Sequence, residues 1–308
     1  MNLVLHIGAP KTATSTLQSV FFPYHPGLYF LGKRVNVPGG VTSWRTPEIT
    51  DFMLDLERKN SEFAPDAAQV DRLVQEIKAE AGALPVVISS EDLCLYTGID
   101  SFKKIERLQK VFGEFGPVRI ILSVRDQVSL LKSIYITEHR GEMMRIVGTQ
   151  QSWYPTFDQY LDIHFRYVWG AVLESFRFYS MLQKYEKIFG SNNIFVYPFS
   201  EFQRDPVRIL KSMSDFLGIE YNESILQKTA KTRENQHYSE RAYAFVKIRP
   251  FFSPLRAVVP AVVKDHFYRW LERGASINFN PSDDAVRRVK DYYKSDNDAL
   301  FRKYGIRL

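Results

Sequence analysis

The sequence predicts an α/β chain: a parallel sheet flanked by helices, built as a P-loop-like three-layer sandwich. Three observations carry that expectation. Short, almost wholly apolar runs recur, "NLVLHI" at 2–7, "PVVISS" at 85–90, "VRIILSV" at 118–124 and "NIFVYPF" at 193–199. Runs of this length without polar alternation read as strands buried on both faces. Segments of helical period separate them, so each strand is followed by a cover. The first run also breaks into "GAPKTATST" (8–16), a strand–turn–helix junction crowded with hydroxyls.

The elements follow in order. "TATSTLQSVFF" (12–22) predicts a helix, because its threonines and serine are poor in mid-helix but good at a start, where hydroxyls satisfy free N–H groups. Residues 23–47 hold four of the fifteen prolines and four glycines, which predicts a long irregular excursion. Helices are expected over 48–59 and 66–81, the second with Val70, Leu73, Val74 and Ile77 on one face. "SFKKIERLQKVF" (101–112) is an amphipathic helix ending at Gly113, and "SLLKSIYITEHR" (129–140) opens the helix after the third strand. Aromatic-rich helices span about 157–189, and a helix at 205–217 is closed by Gly218. From 236 onward the pattern is mostly helical, broken at Pro250, Pro254 and Pro260. No repeat, low-complexity segment or linker divides the chain. Residues 1–308 therefore read as a single α/β domain with helical insertions and a helical C-terminal part.

Composition narrows the function classes. The 308 residues are 45% hydrophobic and 25% charged, which is enough apolar material for a sizeable core. A formal net charge of +6 suits anionic ligands and falls short of the dense basic stripe of a nucleic-acid binder, so no nucleic-acid partner is expected. Cys94 is the only cysteine, which excludes an intramolecular disulfide and any Cys-based zinc site. The first residues lack a basic leader and no apolar run approaches the roughly 18–20 residues that span a bilayer, so a cytoplasmic location is expected. The sequon at Asn222 is a common chance pattern.

The junction at 8–16 has chemistry of its own. The first N–H groups of a helix are unpaired and its dipole is positive there, so such a loop suits an anion. Lys11 adds a full charge, and Thr12, Thr14, Ser15 and Thr16 add hydroxyl donors. The competing account is a capped helix start with a solvated lysine. A nucleotide-triphosphate loop, G-x-x-x-x-G-K-[ST], is absent because Pro10 precedes Lys11, and Asp126 is the one candidate for a magnesium-holding carboxylate. A loop that holds phosphate-like oxygens without a metal is the better expectation.

"HIGAPKTATSTLQ" (6–18) resembles the 5′-phosphosulfate loop of the sulfotransferases that use 3′-phosphoadenosine 5′-phosphosulfate (PAPS), commonly P-K-[ST]-G-[ST]-[ST] after a strand. Lys11, Thr12, Thr14, Ser15 and Thr16 fall on matching positions, and Ala13 stands where that family usually has glycine. A methyl group is tolerated there if the backbone is helical; a positive φ would cost on the order of 1 kcal/mol. "ILSVRDQVSLLKSIY" (121–135) is similar to the family's 3′-phosphate motif, with Arg125 at a strand end and Ser133 eight residues on. The demand there is a guanidinium fork and a hydroxyl for a phosphate dianion. A surface Arg125–Asp126 pair and an ordinary helical serine would look the same.

"VVISSEDLC" (86–94) places Ser89, Ser90 and Glu91 at the carboxyl end of a strand, where open α/β sheets bind ligands. The resemblance implies a histidine or glutamate near here as the base that takes the acceptor's proton. Glu91 is the candidate and Asp92 the second choice, against a role in capping the next segment. In "KTAKTRENQHYSE" (228–240) the resemblance implies that Lys231, Arg233 and Asn235 close over the nucleotide, with a solvated loop as the alternative.

The resemblance therefore implies sulfuryl transfer from PAPS, giving the bisphosphate PAP, with no metal. Lys11 and Glu91 would be catalytic, and Lys11, Thr12, Ala13, Thr14, Ser15, Thr16, Arg125, Ser133, Arg233 and Asn235 would bind the nucleotide. The acceptor is expected to be a hydroxyl of a small molecule, glycan or glycolipid, with an amine as second choice. The rivals are a P-loop kinase-like phosphotransferase using ATP and magnesium, and a non-catalytic nucleotide-binding protein. The aromatic residues at 153–185 are read as core rather than as a ring-binding stripe, and His139 and His164 receive no role. Residues 249–273 suit a core or dimer helix, with peripheral membrane contact as the alternative, and oligomerisation stays open.

Overall fold

A computed structural model describes residues 2–32, 52–53, 56, 66–95, 101–113, 116–138, 156–166, 173–232, 239–241, 244–245, 259–275 and 280–308. Five strands form one sheet: β1 (Leu3–His6), β2 (Tyr29–Gly32), β3 (Val86–Ser89), β4 (Val118–Val124) and β5 (Ile194–Pro198). Their order is β2-β3-β1-β4-β5, and every pair is parallel. Central β1 is wholly buried at Leu3, Val4 and Leu5, which is why its sequence shows no alternation. The chain leaves β1 toward β2 and β3, then crosses back to β4 and β5. The connections thus diverge between β1 and β4, and the carboxyl edge at such a switch point is where open α/β sheets bind ligands.

β2 corrects the expectation for 23–47. Its four residues, YFLG, lie between prolines and glycines, which hid them in the sequence. Position explains the tolerance: β2 is an edge strand with a register shift between Phe30 and Gly32. Of the helix expected over 48–59, only Phe52, Met53 and Leu56 are described, all buried.

The chain divides into two compact units. The first, residues 1–125, 171–234 and 294–308, contains the whole sheet. After β1 comes α1, which starts at Thr14 rather than Thr12. It is α-helical over Thr14–Thr16, π-helical over Leu17–Phe21 and α-helical again over Phe22–Tyr24, where Pro23 has no N–H to donate. Also in this unit are α2 (Ala67–Ala81) and α3 (Ser101–Phe112). One sheet face presents Val4, Val87, Ile121 and Tyr197 to Leu17, Phe21 and Phe22 of α1. Further helices of the unit are α6 (Phe178–Phe189), α7 (Phe199–Arg204), α8 (Pro206–Leu217) and α9 (Glu223–Lys231). Phe202, Leu210, Met213, Leu217 and Leu226 of α7 to α9 complete that core. On the opposite face α3 packs on α6, and α6 packs on β4 and β5, burying Leu108, Val111, Leu182 and Tyr185. The unit is the three-layer sandwich that the sequence predicts.

Local signals set these helices. Asp66, Asp205 and Asn222 each accept the N–H three residues on, capping α2, α8 and α9 at 2.9, 3.0 and 3.1 Å. The sequon asparagine is thus a helix cap. Gly218 (φ 70°) closes α8 in the left-handed conformation.

The second unit, residues 126–170 and 235–293, holds α4 (Gln127–Glu138), α5 (Phe157–Arg166) and α10 (Ala261–Glu272), together with the start of α11 (Asp283–Tyr304). Tyr135 of α4 meets Phe157 and Tyr160 of α5, each at 5.4 Å between ring centres. Buried Phe157, Tyr160, Phe176, Phe178 and Tyr185 are core residues of their units, as expected for the aromatic-rich stretch.

Candidate active site at the carboxyl edge of the sheet

The three stretches singled out in the sequence leave neighbouring strands at one edge. The Lys11 loop follows β1, the Glu91 turn follows β3 and Arg125 follows β4, and β1 lies between the other two. Register makes the alignment close: His6 stands opposite Ser89 on one side and Ile121 on the other.

The loop is first held to β4. Ile7 N–H donates to Ile121 O and Ala9 N–H to Ser123 O, each at 3.0 Å, and Ser123 N–H returns a bond to Gly8 O at 2.7 Å. Glycine suits position 8 because its φ is 101°, a conformation that L side chains rarely adopt, and a Cβ would also stand a tight 3.3 Å from Pro10 N. The backbone then turns with Lys11 and Ala13 both left-handed, φ 62° and 61°. The question left by the sequence at Ala13 is answered on the strained side, where glycine would be at ease.

This turn leaves donors facing outward from the chain's own bonding. Thr12 Oγ1 donates to Ala9 O at 2.6 Å, so that hydroxyl braces the loop. The amides of Thr16 and Leu17 donate to Ala13 O, whereas the amides of Thr12, Ala13 and Thr14 meet no acceptor among the described residues. Consecutive amides of this kind in a turn form an anion-binding concavity. Lys11 and Ser15 are half-buried at the same turn, and Thr14 and Thr16 are buried.

Arg125 reaches the loop: its Nη1 donates to Lys11 O at 2.7 Å, and its guanidinium lies 5.0 Å from the centre of the Phe199 ring. The guanidinium therefore joins the loop after β1 to the ring at the start of α7. On the other flank, Thr14 Oγ1 donates to Glu91 Oε1. Below the loop His6 Nδ1 and Ser89 Oγ are 2.6 Å apart, and Gln18 Nε2 donates to the same hydroxyl at 2.8 Å. That buried cluster ties β1, β3 and α1 together under the site.

Glu91 opens a 3₁₀ turn, Glu91–Leu93, and no side chain caps it. The turn is held from behind by two buried side chains that the sequence reading missed. Lys104 of α3 donates its ammonium to the carbonyls of Asp92 and Leu95, and Tyr185 of α6 donates to Leu93 O at 3.1 Å. Lys104 is 3% exposed. Its signal in the sequence is its position, four and seven residues before Leu108 and Val111 on the apolar stripe of α3. Cys94 follows the turn; burial pushes its thiol up to about 12, with a smaller push from the Glu91 carboxylate and an opposing pull from the Lys104 ammonium.

Other candidates stand elsewhere. Ser133 is half-buried on α4, in the second unit. Asp126 accepts Ser129 N–H at 2.8 Å and so caps α4. Lys231 ends α9. Arg233, Asn235 and His139 lie outside the described residues. His164 packs edge-on against Tyr160 at 4.4 Å, and burial lowers its pKa to about 4.

No protein-family model matches the chain, and no curated protein matches it in sequence. Among solved structures it is similar to a sulfotransferase from Alicyclobacillus acidocaldarius, with 15% identity over 99% of this chain and 96% of that one, TM-score 0.56. Mouse sulfotransferase SULT7A1 complexed with PAP matches with 15% identity over 99% and 85%, TM-score 0.47. A sulfotransferase domain from the curacin biosynthetic pathway matches with 10% identity over 96% and 97%, TM-score 0.45. The Alicyclobacillus likeness shows that the chain has the sulfotransferase fold.

Proposed function

We propose that this chain transfers a sulfuryl group from PAPS to a hydroxyl of an acceptor, residues 1–308 acting as one catalytic domain. One observation carries the reading: on three adjacent strands, the Lys11 loop stands between Arg125, bonded to its backbone, and Glu91, bonded to Thr14. The donor set fits a phosphosulfate and a second phosphate. The amides of Thr12, Ala13 and Thr14, with the hydroxyls of Ser15 and Thr16, would hold the 5′-phosphate. Arg125 and Ser133 would hold the 3′-phosphate, and Arg233 and Asn235 would close over the nucleotide.

In this reading Glu91 takes the acceptor's hydroxyl proton, and the acceptor oxygen forms the new O–S bond. The S–O bond to the 5′-phosphate breaks, and its electron pair stays on the phosphate oxygen that Lys11 and the loop amides stabilise. PAP and the sulfated acceptor leave. No step calls for a metal. We favour a glycan or glycolipid hydroxyl as acceptor and a cytoplasmic protein. Peripheral membrane contact draws support from α10, where Val263, Phe267 and Trp270 are exposed and Arg241 lies 5.0 Å from the Trp270 ring.

Titration calorimetry tests the nucleotide half. PAP should bind without magnesium and more tightly than ATP–Mg²⁺. Arg125→Lys should weaken PAP by about 10–100-fold, because a point charge cannot replace the fork. Tight ATP–Mg²⁺ binding with no PAP binding would reject the reading.

A further inference from the structure

We propose that Lys104 is a positioning residue for the reaction: from behind the Glu91 turn, its buried ammonium fixes where the candidate base stands. The inference rests on the sulfuryl-transfer reading above and adds a residue, remote from donor and acceptor, on which the proton-transfer step depends.

Glu91 opens a 3₁₀ turn of three residues, a unit too short to hold its own conformation. The turn closes on Glu91 O, which accepts Cys94 N–H at 3.1 Å and Leu95 N–H at 3.3 Å. Carbonyls at the end of such a turn need donors from elsewhere. Lys104 of α3 donates to Asp92 O and Leu95 O, and Tyr185 of α6 donates to Leu93 O at 3.1 Å. Two side chains from the sheet face opposite α1 thus hold three carbonyls. Leu93 and Cys94 are buried with them, whereas Glu91 is half-buried.

In front, the Glu91 carboxylate accepts the Thr14 hydroxyl, and a Cβ on Gly8 would stand 3.5 Å from Glu91 Cα and Cγ. The base is seated between the Lys11 loop and a turn braced from behind. The Thr14 proton can be claimed by a bound phosphate oxygen instead, so the brace is the contact that persists once the nucleotide is in place. A general base must lie within hydrogen-bond reach of the proton it takes, and a displacement of about 1 Å can cost on the order of 10²-fold in rate.

Charge distinguishes Lys104 from an ordinary packing residue. Its side chain is 3% exposed, and an ammonium is costly to bury. A neutral donor suffices for one carbonyl, as the Tyr185 hydroxyl shows at Leu93. An ammonium makes stronger, charge-assisted bonds, and it lies at the carbonyl end of the turn, where the partial charge is negative. Stability alone would be served at this position by an apolar side chain beside Leu108 and Val111.

The test follows transfer from radiolabelled PAPS to 2-phenylethanol and to water, the second read as free sulfate. Both acceptors must lose a proton to react. Lys104→Met should lower kcat for both by about 10–100-fold, while KM for PAPS and calorimetric PAP affinity change by less than about twofold. In a Glu91→Gln chain the same substitution should cost less than about threefold, because no base is left to misplace. Tyr185→Phe, which removes only a hydroxyl, should lower kcat by about 3–10-fold, again only where Glu91 is present. Unchanged kcat in Lys104→Met, or an equal loss in both backgrounds, overturns the inference. Should Lys104→Met fail to fold, Tyr185→Phe decides by the same comparison. If Glu91→Gln alone keeps full kcat, the base assignment and the role of Lys104 fall together and the nucleotide reading stands. If the wild-type chain neither binds PAP nor transfers sulfate to either acceptor, the sulfuryl-transfer reading fails first.

Discussion

The Thr14 hydroxyl donates to the Glu91 carboxylate, a contact across 77 residues of chain that joins the loop after β1 to the turn after β3. A hydroxyl has one proton to give, so Thr14 can serve Glu91 or a bound phosphate oxygen but not both. Nucleotide binding should therefore turn the hydroxyl toward the phosphate and release Glu91 to accept a proton from the acceptor. Thr14→Val should weaken PAP binding by about 10–100-fold, the worth of a hydrogen bond to a charged group, and Thr14→Ser should restore most of it. Calorimetry on the three proteins decides; equal PAP affinity in wild type and Thr14→Val would remove Thr14 from the nucleotide site.

Glu91→Gln separates base from scaffold. The amide oxygen still accepts from Thr14, so the loop contact survives, while the group can no longer take a proton. With sulfuryl transfer as the assay, kcat should fall by about 10²–10⁴-fold and PAP affinity should change by less than about threefold. Undiminished kcat would move the base elsewhere, first to Asp92.

What was legible in the sequence follows from what each signal depends on. β1, β3, β4 and β5 stood out because a strand covered on both faces needs an unbroken apolar run, and each has one. β2 is an edge strand of four residues and had no such demand on it. Lys11, Glu91 and Arg125 could each be named from their place after a strand, but their adjacency depends on strand order, which local pattern does not encode. Lys104 escaped because a lysine on an amphipathic helix is ordinarily a solvated one, although this one shares the stripe of Leu108 and Val111. At Ala13 the sequence left two backbone states open, and only the fold chooses between them.

That choice has a stability consequence. Ala13 stands at φ 61°, a conformation costing an L-residue on the order of 1 kcal/mol, and its methyl also packs on the core cluster around α1. Ala13→Gly removes the strain, loses the methyl contact and adds freedom to the unfolded chain, for a net gain of about 0.5 kcal/mol. Ala13→Val, β-branched at the same φ, should lose more than about 1 kcal/mol. Urea midpoints at unchanged m read both effects. A less stable Ala13→Gly together with a tolerated Ala13→Val would mean that the loop is not left-handed at this position in solution.

His164 gives the second unit a pH dependence with a defined sign. Burial against Tyr160 lowers its pKa from 6.5 to about 4, so the folded chain keeps the ring neutral where the unfolded chain protonates it. Between those values the unfolded state binds the extra proton, and stability must fall as pH falls from 6.5 toward 4. A fully buried ring would give about 1.4 kcal/mol per pH unit; the partial exposure of this one reduces that to about 0.5–1 kcal/mol. Below pH 4 both states are protonated and this contribution to the slope vanishes. His25, whose pKa is also lowered, chiefly by burial, slopes in the same direction, so His164→Gln should flatten the curve without abolishing it. Urea unfolding at pH 7, 6, 5 and 4.5 compares the two proteins. Parallel curves across that window would mean that His164 titrates normally in the folded chain, and would place its ring in water rather than against Tyr160.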